Sequence, residues 1–278
     1  MKILNYIGLI LVVAFAVSCE KHEVEYMTNP LGAKAEFQLD YFVPVTATSS
    51  NYIYKVEVNN QLVANSSAPL TTYNAIPNGS VGRFYTVDPG TVNIKLYKGT
   101  GEELVYDQNI TLTVGKQSVF VHDYSKEPIV FDSGYPYTSN ITTDTDSTCY
   151  VRFYNFLYET EGVPCDLKLQ YQYVDPRDKN NLVNIGEPIS FGETTGWQPV
   201  KVLKTTFNSS GSARVDYRIK VVDASGAITG DLQLWNTSKK YVSYSDYWTG
   251  YIGRRYQHVL AGMRSALPVA GVKQFTIL

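Results

Sequence analysis

From Ala35 onward the sequence alternates. Phe37, Leu39 and Tyr41 are separated by Gln38 and Asp40, and Tyr54, Val56 and Val58 by Lys55 and Glu57. A period of two sends successive side chains to opposite faces of an extended strand, and no stretch sustains the 3.6-residue period of a helix. Val92-Asn93-Ile94-Lys95-Leu96-Tyr97 repeats the pattern. Between these runs stand Asn59-Asn60, Asp88-Pro89-Gly90, Gly99-Thr100-Gly101 and Gly115-Lys116. Proline presets φ and glycine tolerates positive φ, so these are turns. Asn109 to Val114 and Gln117 to Tyr124 read as the arms of a hairpin about Gly115-Lys116. Short strands at regular spacing predict an all-β chain of antiparallel β-sandwiches. The 23 tyrosines, against 3 tryptophans and 3 methionines, fit a sheet in which the ring packs and the hydroxyl reaches water.

The pattern then recurs. Tyr150-Val151-Arg152-Phe153-Tyr154 echoes Phe37 to Tyr41, and Leu167 to Val174 echoes the Tyr54 strand. Tyr217 to Gly226 follows Val92 to Gly101 almost residue for residue, Gly253 to Leu260 corresponds to Gly115 to His122, and Val272 to Ile277 to Ile129 to Phe131. Two copies of one unit is the simplest account. It predicts one sandwich over residues 34–132, a polar linker over 133–147, and a second sandwich with longer loops over 148–278. Asp144 and Asp146 lack the glycine and glutamate of a calcium-binding EF-hand loop, so the linker reads as solvated chain. Asp146-Ser147-Thr148 resembles the O-glycosylation triplet of Bacteroidetes envelope proteins.

Ahead of the alternating region lie Lys2, an apolar run from Tyr6 to Val17, and small residues that stop at Cys19. The run is shorter than the roughly 20 residues a spanning helix needs, so residues 1–18 read as a secretory signal. Its end, Ala16-Val17-Ser18-Cys19, resembles the lipobox of bacterial lipoproteins, with Ala16 where leucine is commoner. The resemblance implies that Cys19 carries lipid and that the membrane is a partner. Residues 19–33 then form a tether. Its opening, Glu20-Lys21-His22-Glu23-Val24-Glu25, is similar to the export tag of Bacteroidetes surface lipoproteins, which implies the outer face of the outer membrane. A solvated charge run is the alternative.

Loss of residues 1–18 leaves 260 residues and moves the net charge from −2 to −3. Nucleic acid, which calls for a basic face, is not an expected partner. Of the three cysteines, Cys149 and Cys165 remain. In an oxidising envelope they can form a disulfide, yet they lie near the starts of neighbouring strands, where a tight hairpin does not set them opposite each other.

An alternating strand, the turn Val87-Asp88-Pro89-Gly90, the strand Asn93-Ile94-Lys95-Leu96 and the closing Gly115 to Val121 resemble a family of tandem β-sandwich domains of unknown function in Bacteroidetes cell-surface lipoproteins. Residues 35–131 carry the resemblance best, and 149–277 carry a looser copy without the Pro-Gly turn. The resemblance implies immunoglobulin-like, surface-exposed, non-enzymatic modules of adhesin type, and brings no functional residues with it.

Catalysis needs converging groups with tuned protonation. His22, His122 and His258 are scattered, the pairs Glu159/Glu161 and Asp175/Asp178 fall in loops, and no HExxH, CxxC or GxSxG occurs. No enzyme, metal or cofactor is therefore expected. The strongest binding candidate is aromatic. Along one strand Tyr241, Tyr247 and Tyr251 face one way and Tyr244 and Trp248 the other. Tyr244, Tyr247, Trp248 and Tyr251 could hold a glycan or a surface protein, and the alternative is that these rings are core. The expected function is a non-catalytic adhesin or interaction module. A glycan-binding lipoprotein of a polysaccharide-uptake system and a fimbrial anchor or accessory subunit are the rivals.

Overall fold

The computed structural model describes residues 34–77, 83–132, 134, 146–236 and 238–277. The signal, Cys19, the tether and most of the expected linker lie outside them. The first half runs β1 (Ala35–Tyr41), β2 (Ile53–Val58), β3 (Gln61–Ala64), β4 (Asn74–Ile76), β5 (Tyr85–Val87), β6 (Gly90–Lys98), β7 (Glu103–Leu112), β8 (Gly115–Val121) and β9 (Ile129–Asp132). The second runs β10 (Asp146–Thr160), β11 (Val163–Pro164), β12 (Lys168–Val174), β13 (Leu182–Ile189), β14 (Gln198–Leu203) and β15 (Ser212–Val222). It continues with β16 (Ile228–Asp231), β17 (Gln233–Trp235), β18 (Tyr241–Ser243), β19 (Ser245–Tyr251), β20 (Arg255–Met263) and β21 (Gly271–Ile277). The fold is all-β, and the described helical turns are two short 3-10 segments.

Each half is built on a pair of sheets closed on its own core, and the second half adds a two-stranded sheet of β17 and β18. In the first, β4-β1-β8-β9, with β5 also on β1, faces β3-β2-β6-β7. Phe37, Leu39, Val56, Ile94, Leu96 and Val119 fill the space between them. In the second, β11-β10-β20-β21, with β14 on β10, faces β13-β12-β15-β16, with β19 on β15. Its core gathers Val151, Phe153, Tyr171, Tyr217, Ile219 and Trp248. The internal repeat is therefore a repeat of topology. Asn59 and Asn60 take φ of 50° and 61° at the β2–β3 turn, the left-handed pair that a two-residue hairpin demands.

Three local expectations change. Gly115-Lys116 does not close a hairpin: β7 ends in one sheet and β8 begins in the other, so the chain crosses the sandwich there. The strand β8 instead runs parallel to β1, as β20 does to β10, beside otherwise antiparallel pairs. The linker is shorter than expected, because Asp146 and Ser147 already pair with Leu203 and Val202 in β14. Ser147 is buried, so the Asp146-Ser147-Thr148 triplet offers no accessible hydroxyl at its centre.

The register of the repeat also differs from the sequence match. Val92, Ile94 and Leu96 do correspond to Tyr217, Ile219 and Val221, all core-facing. The core-facing residues of β10, however, are Val151, Phe153 and Leu157, not Tyr150, Arg152 and Tyr154. A slip of one residue exchanges the two faces of a strand. The slip arises because β10 is apolar on both faces from Phe153 to Tyr158, with Phe153 and Leu157 in the core and Tyr154 and Phe156 on the other face.

The second faces meet each other. Phe42 and Phe120 from the first half pack with Tyr154, Phe156, Val259 and Phe275 from the second in a third cluster. Phe120 stacks on Phe156 with ring centroids 4.8 Å apart and lies 4.7 Å from Tyr154. All described residues fall into one compact unit. Inside this seam Gln257 donates to Asp40 at 3.3 Å. Burial drives the Asp40 carboxyl well above the usual carboxylate range, and the Gln257 bond only partly offsets it. At the rim the Tyr158 hydroxyl donates to the His122 carbonyl at 3.1 Å and sits 2.8 Å from its Nδ1.

Candidate interaction face

Residues 241–256 split between core and surface. β19 pairs with β15 so that Trp248 opposes Val215 and Tyr247 opposes Asp216. Trp248 is 2% exposed, packed against Phe153, Tyr217 and His258. Tyr244 is half-buried and bridges the sheets: its hydroxyl accepts from the Val272 N–H at 3.0 Å and donates to Asp246 at 3.2 Å. Burial pushes that hydroxyl up to about 12. Tyr244 and Trp248 are thus structural rings, and of the four candidates only Tyr247 and Tyr251 turn outward.

Those two are held by arginines. Tyr247 is 45% exposed, and the Arg214 guanidinium lies 3.7 Å from its ring centroid while bonding Asp216 at 2.8 Å. Arg254 lies 4.0 Å from the ring of Tyr251. Tyr251 is further fixed by its backbone N–H, which donates to the Tyr256 hydroxyl at 2.8 Å. Four residues apart on one strand face, the two rings stand about 13 Å from each other. On β18, Tyr241 bonds Ser265 at 2.6 Å and takes the Arg264 guanidinium at 5.1 Å from its ring. Sequence reading finds the rings but misses the cations, which come from other strands and loops.

The titratable groups do not converge. His258 is fully enclosed among Phe153, Trp248, Tyr217 and Tyr256, and neither ring nitrogen has a hydrogen-bond partner among the described residues. Burial pulls it down to about 3. Cys149 and Cys165 are free and buried, so the disulfide left open by the sequence is not formed. The Cys165 N–H bonds Leu157, eight residues along β10 from Cys149, which puts the two about 26 Å apart along the strand. Burial raises their thiols to about 12 and about 11. Glu159 is tied to Arg264 at 3.0 Å and to Ser265; burial would raise it, but these bonds hold it below its ordinary value. Asp175 is held low chiefly by the Arg177 backbone N–H and then by its side chain. Among the described residues no three His, Cys, Asp or Glu side chains gather as a metal site, and no helix is long and apolar enough to cross a membrane.

No family model and no curated protein matches the chain. Among solved structures, the Bacillus anthracis TIE protein is similar at 7% identity with a TM-score of 0.20. The match covers 84% of this chain and 34% of that protein, so this chain spans about a third of its length.

Proposed function

We propose that this protein is a non-catalytic interaction module of a cell surface, anchored through lipid at Cys19 on the outer face of the outer membrane. The anchor rests on the sequence from Lys2 to Cys19. The binding role rests on one observation: Tyr247 and Tyr251 project from β19 with Arg214 and Arg254 already placed at their rings. A ring immobilised by a cation before a ligand arrives loses little further freedom on binding, and tyrosine and arginine dominate interface energetics. The ligand is a glycan or a surface protein.

The test is retention of the full chain on immobilised plant and host glycans and on host surface proteins. Tyr247→Ala/Tyr251→Ala should lower whichever affinity is found by about tenfold or more, with thermal stability preserved. Undiminished binding would remove this face from the proposal. Cys19→Ser should shift the chain from the membrane fraction to the soluble one, and its retention in membranes would remove the anchor.

A further inference from the structure

The second half has a gap in its outer sheet. β12 pairs with β15 only as far as Tyr173 opposite Tyr217, while β15 begins at Ser212. Over residues 212–216 β15 has β19 on one side and no strand on the β12 side. A groove of about 400 Å³ opens there. Val174, Val202, Leu203 and Val215 make it apolar, Lys179, Lys201, Arg214 and Arg218 make it cationic, and Asp175 and Asp216 are its acids. Four cations against two carboxylates is a local excess of positive charge in a chain of net charge −2.

The first half contains the corresponding opening, between the end of β2 and β5. There Lys34 is ion-paired with Asp88, and the Tyr85 hydroxyl donates to the Val63 carbonyl at 2.9 Å. That copy is neutral and bridged across. The cationic character belongs to the second copy alone.

We propose that this groove binds an extended acidic peptide of a partner protein, which adds a short strand in the place β12 vacates. The geometry selects the pattern. Val215 points into the core and Arg214 and Arg218 point outward, so a strand beside them would turn apolar side chains to the floor and acidic ones to the rim. Ala213 to Asp216 offers about 13 Å of strand edge, room for three or four residues. No aromatic side chain lines the groove, which leaves no ring for a sugar face to stack on. The groove shares Arg214 with the outward ring of Tyr247 and its partner Asp216, whereas Lys179, Lys201 and Arg218 belong to the groove alone.

The experiment titrates the full chain with a fluorescein-labelled peptide of alternating glutamate and valine, read by anisotropy. Three controls accompany it: the peptide with lysine for glutamate, the peptide N-methylated at alternate residues, and oligogalacturonate as competitor. Saturable binding is expected for the first peptide only. It should weaken about tenfold or more in Arg218→Glu and in Lys179→Glu, the latter on an exposed loop where folding is not at stake. Absence of saturable binding, or equal binding of the lysine peptide, overturns the proposal. So does binding that N-methylation leaves intact and oligogalacturonate displaces, since that would mark an acidic saccharide site.

Discussion

Replacing His258 by phenylalanine should abolish an acid sensitivity built into the second core. The imidazole is sealed among four aromatic rings, and protonation there would bury an unpaired charge. Its folded pKa of about 3 lies below the ordinary value of 6.5. The unfolded chain therefore takes up a proton that the folded chain refuses, and stability falls as pH drops from 6.5 toward 3. Between pH 7 and 4.5 this one group contributes a loss of about 2.5 kcal/mol. That size is set by the unfolded value, because pH 4.5 still lies above the folded one. At pH 7 the substitution removes two unpartnered ring nitrogens, worth about 1–3 kcal/mol, against an overpacking penalty of similar size. The sign there is not diagnostic; the change with pH is. Urea unfolding of both proteins at pH 7, 5.5 and 4.5, followed by circular dichroism and tryptophan fluorescence, measures it. Subtracting the curves cancels every other titrating group. The His258→Phe protein is expected to gain on the wild type by about 2.5 kcal/mol over that interval. A difference constant to within about 0.5 kcal/mol would refute a buried neutral imidazole.

Asp40 should act with the opposite sign. Its carboxyl is raised by burial in the seam, so the folded chain keeps a proton that the unfolded chain loses above 3.8, and stability declines as pH rises from there. The slope is at most about 1.4 kcal/mol per pH unit. Asp40→Asn, which mimics the protonated acid, should flatten it and be the more stable protein at pH 7; equal slopes in urea titrations would contradict the assignment. The two buried thiols should react with an aromatic disulfide reagent only after unfolding, and both should then titrate without prior reduction. Fewer than two thiols in the unfolded, unreduced chain would reveal a bridge.

Much of the fold is legible because turn chemistry and alternation are local. Asn59-Asn60 and Gly99-Thr100-Gly101 mark true hairpins, and Val92 to Leu96 aligns with Tyr217 to Val221 face for face. What local signals do not specify is which sheet a strand joins. Gly115 makes the same turn whether the chain doubles back or crosses the sandwich. The seam between the halves has a signal in Phe153-Tyr154-Asn155-Phe156-Leu157-Tyr158, an almost continuous apolar run of the kind buried on both faces. Read as simple alternation, it permits either register. The choice between them moves Phe153 and Tyr154 between the second core and the seam.

The candidate sites are less legible, since their charges come from distant segments. Tyr247 stands out as a ring, but Arg214 reaches it only because β15 and β19 pair in one register. Shifting that register by one residue would bury Tyr247 and expose Trp248, so the outward pair depends on the indole's fit against Phe153 and Tyr217. The groove carries the same lesson further. Lys179, Lys201 and Arg218 lie on a loop, on β14 and on β15, and none belongs to a basic run. The two halves repeat one topology and one gap, but where Asp88 and Tyr85 bridge the first, the cations around the second leave it positive. A duplicated scaffold that retains its opening in both copies and charges one of them is the arrangement expected when recognition is carried by side chains grafted on a shared frame. The distinguishing residues are then those that differ between copies, and in this chain they are the cations around β15.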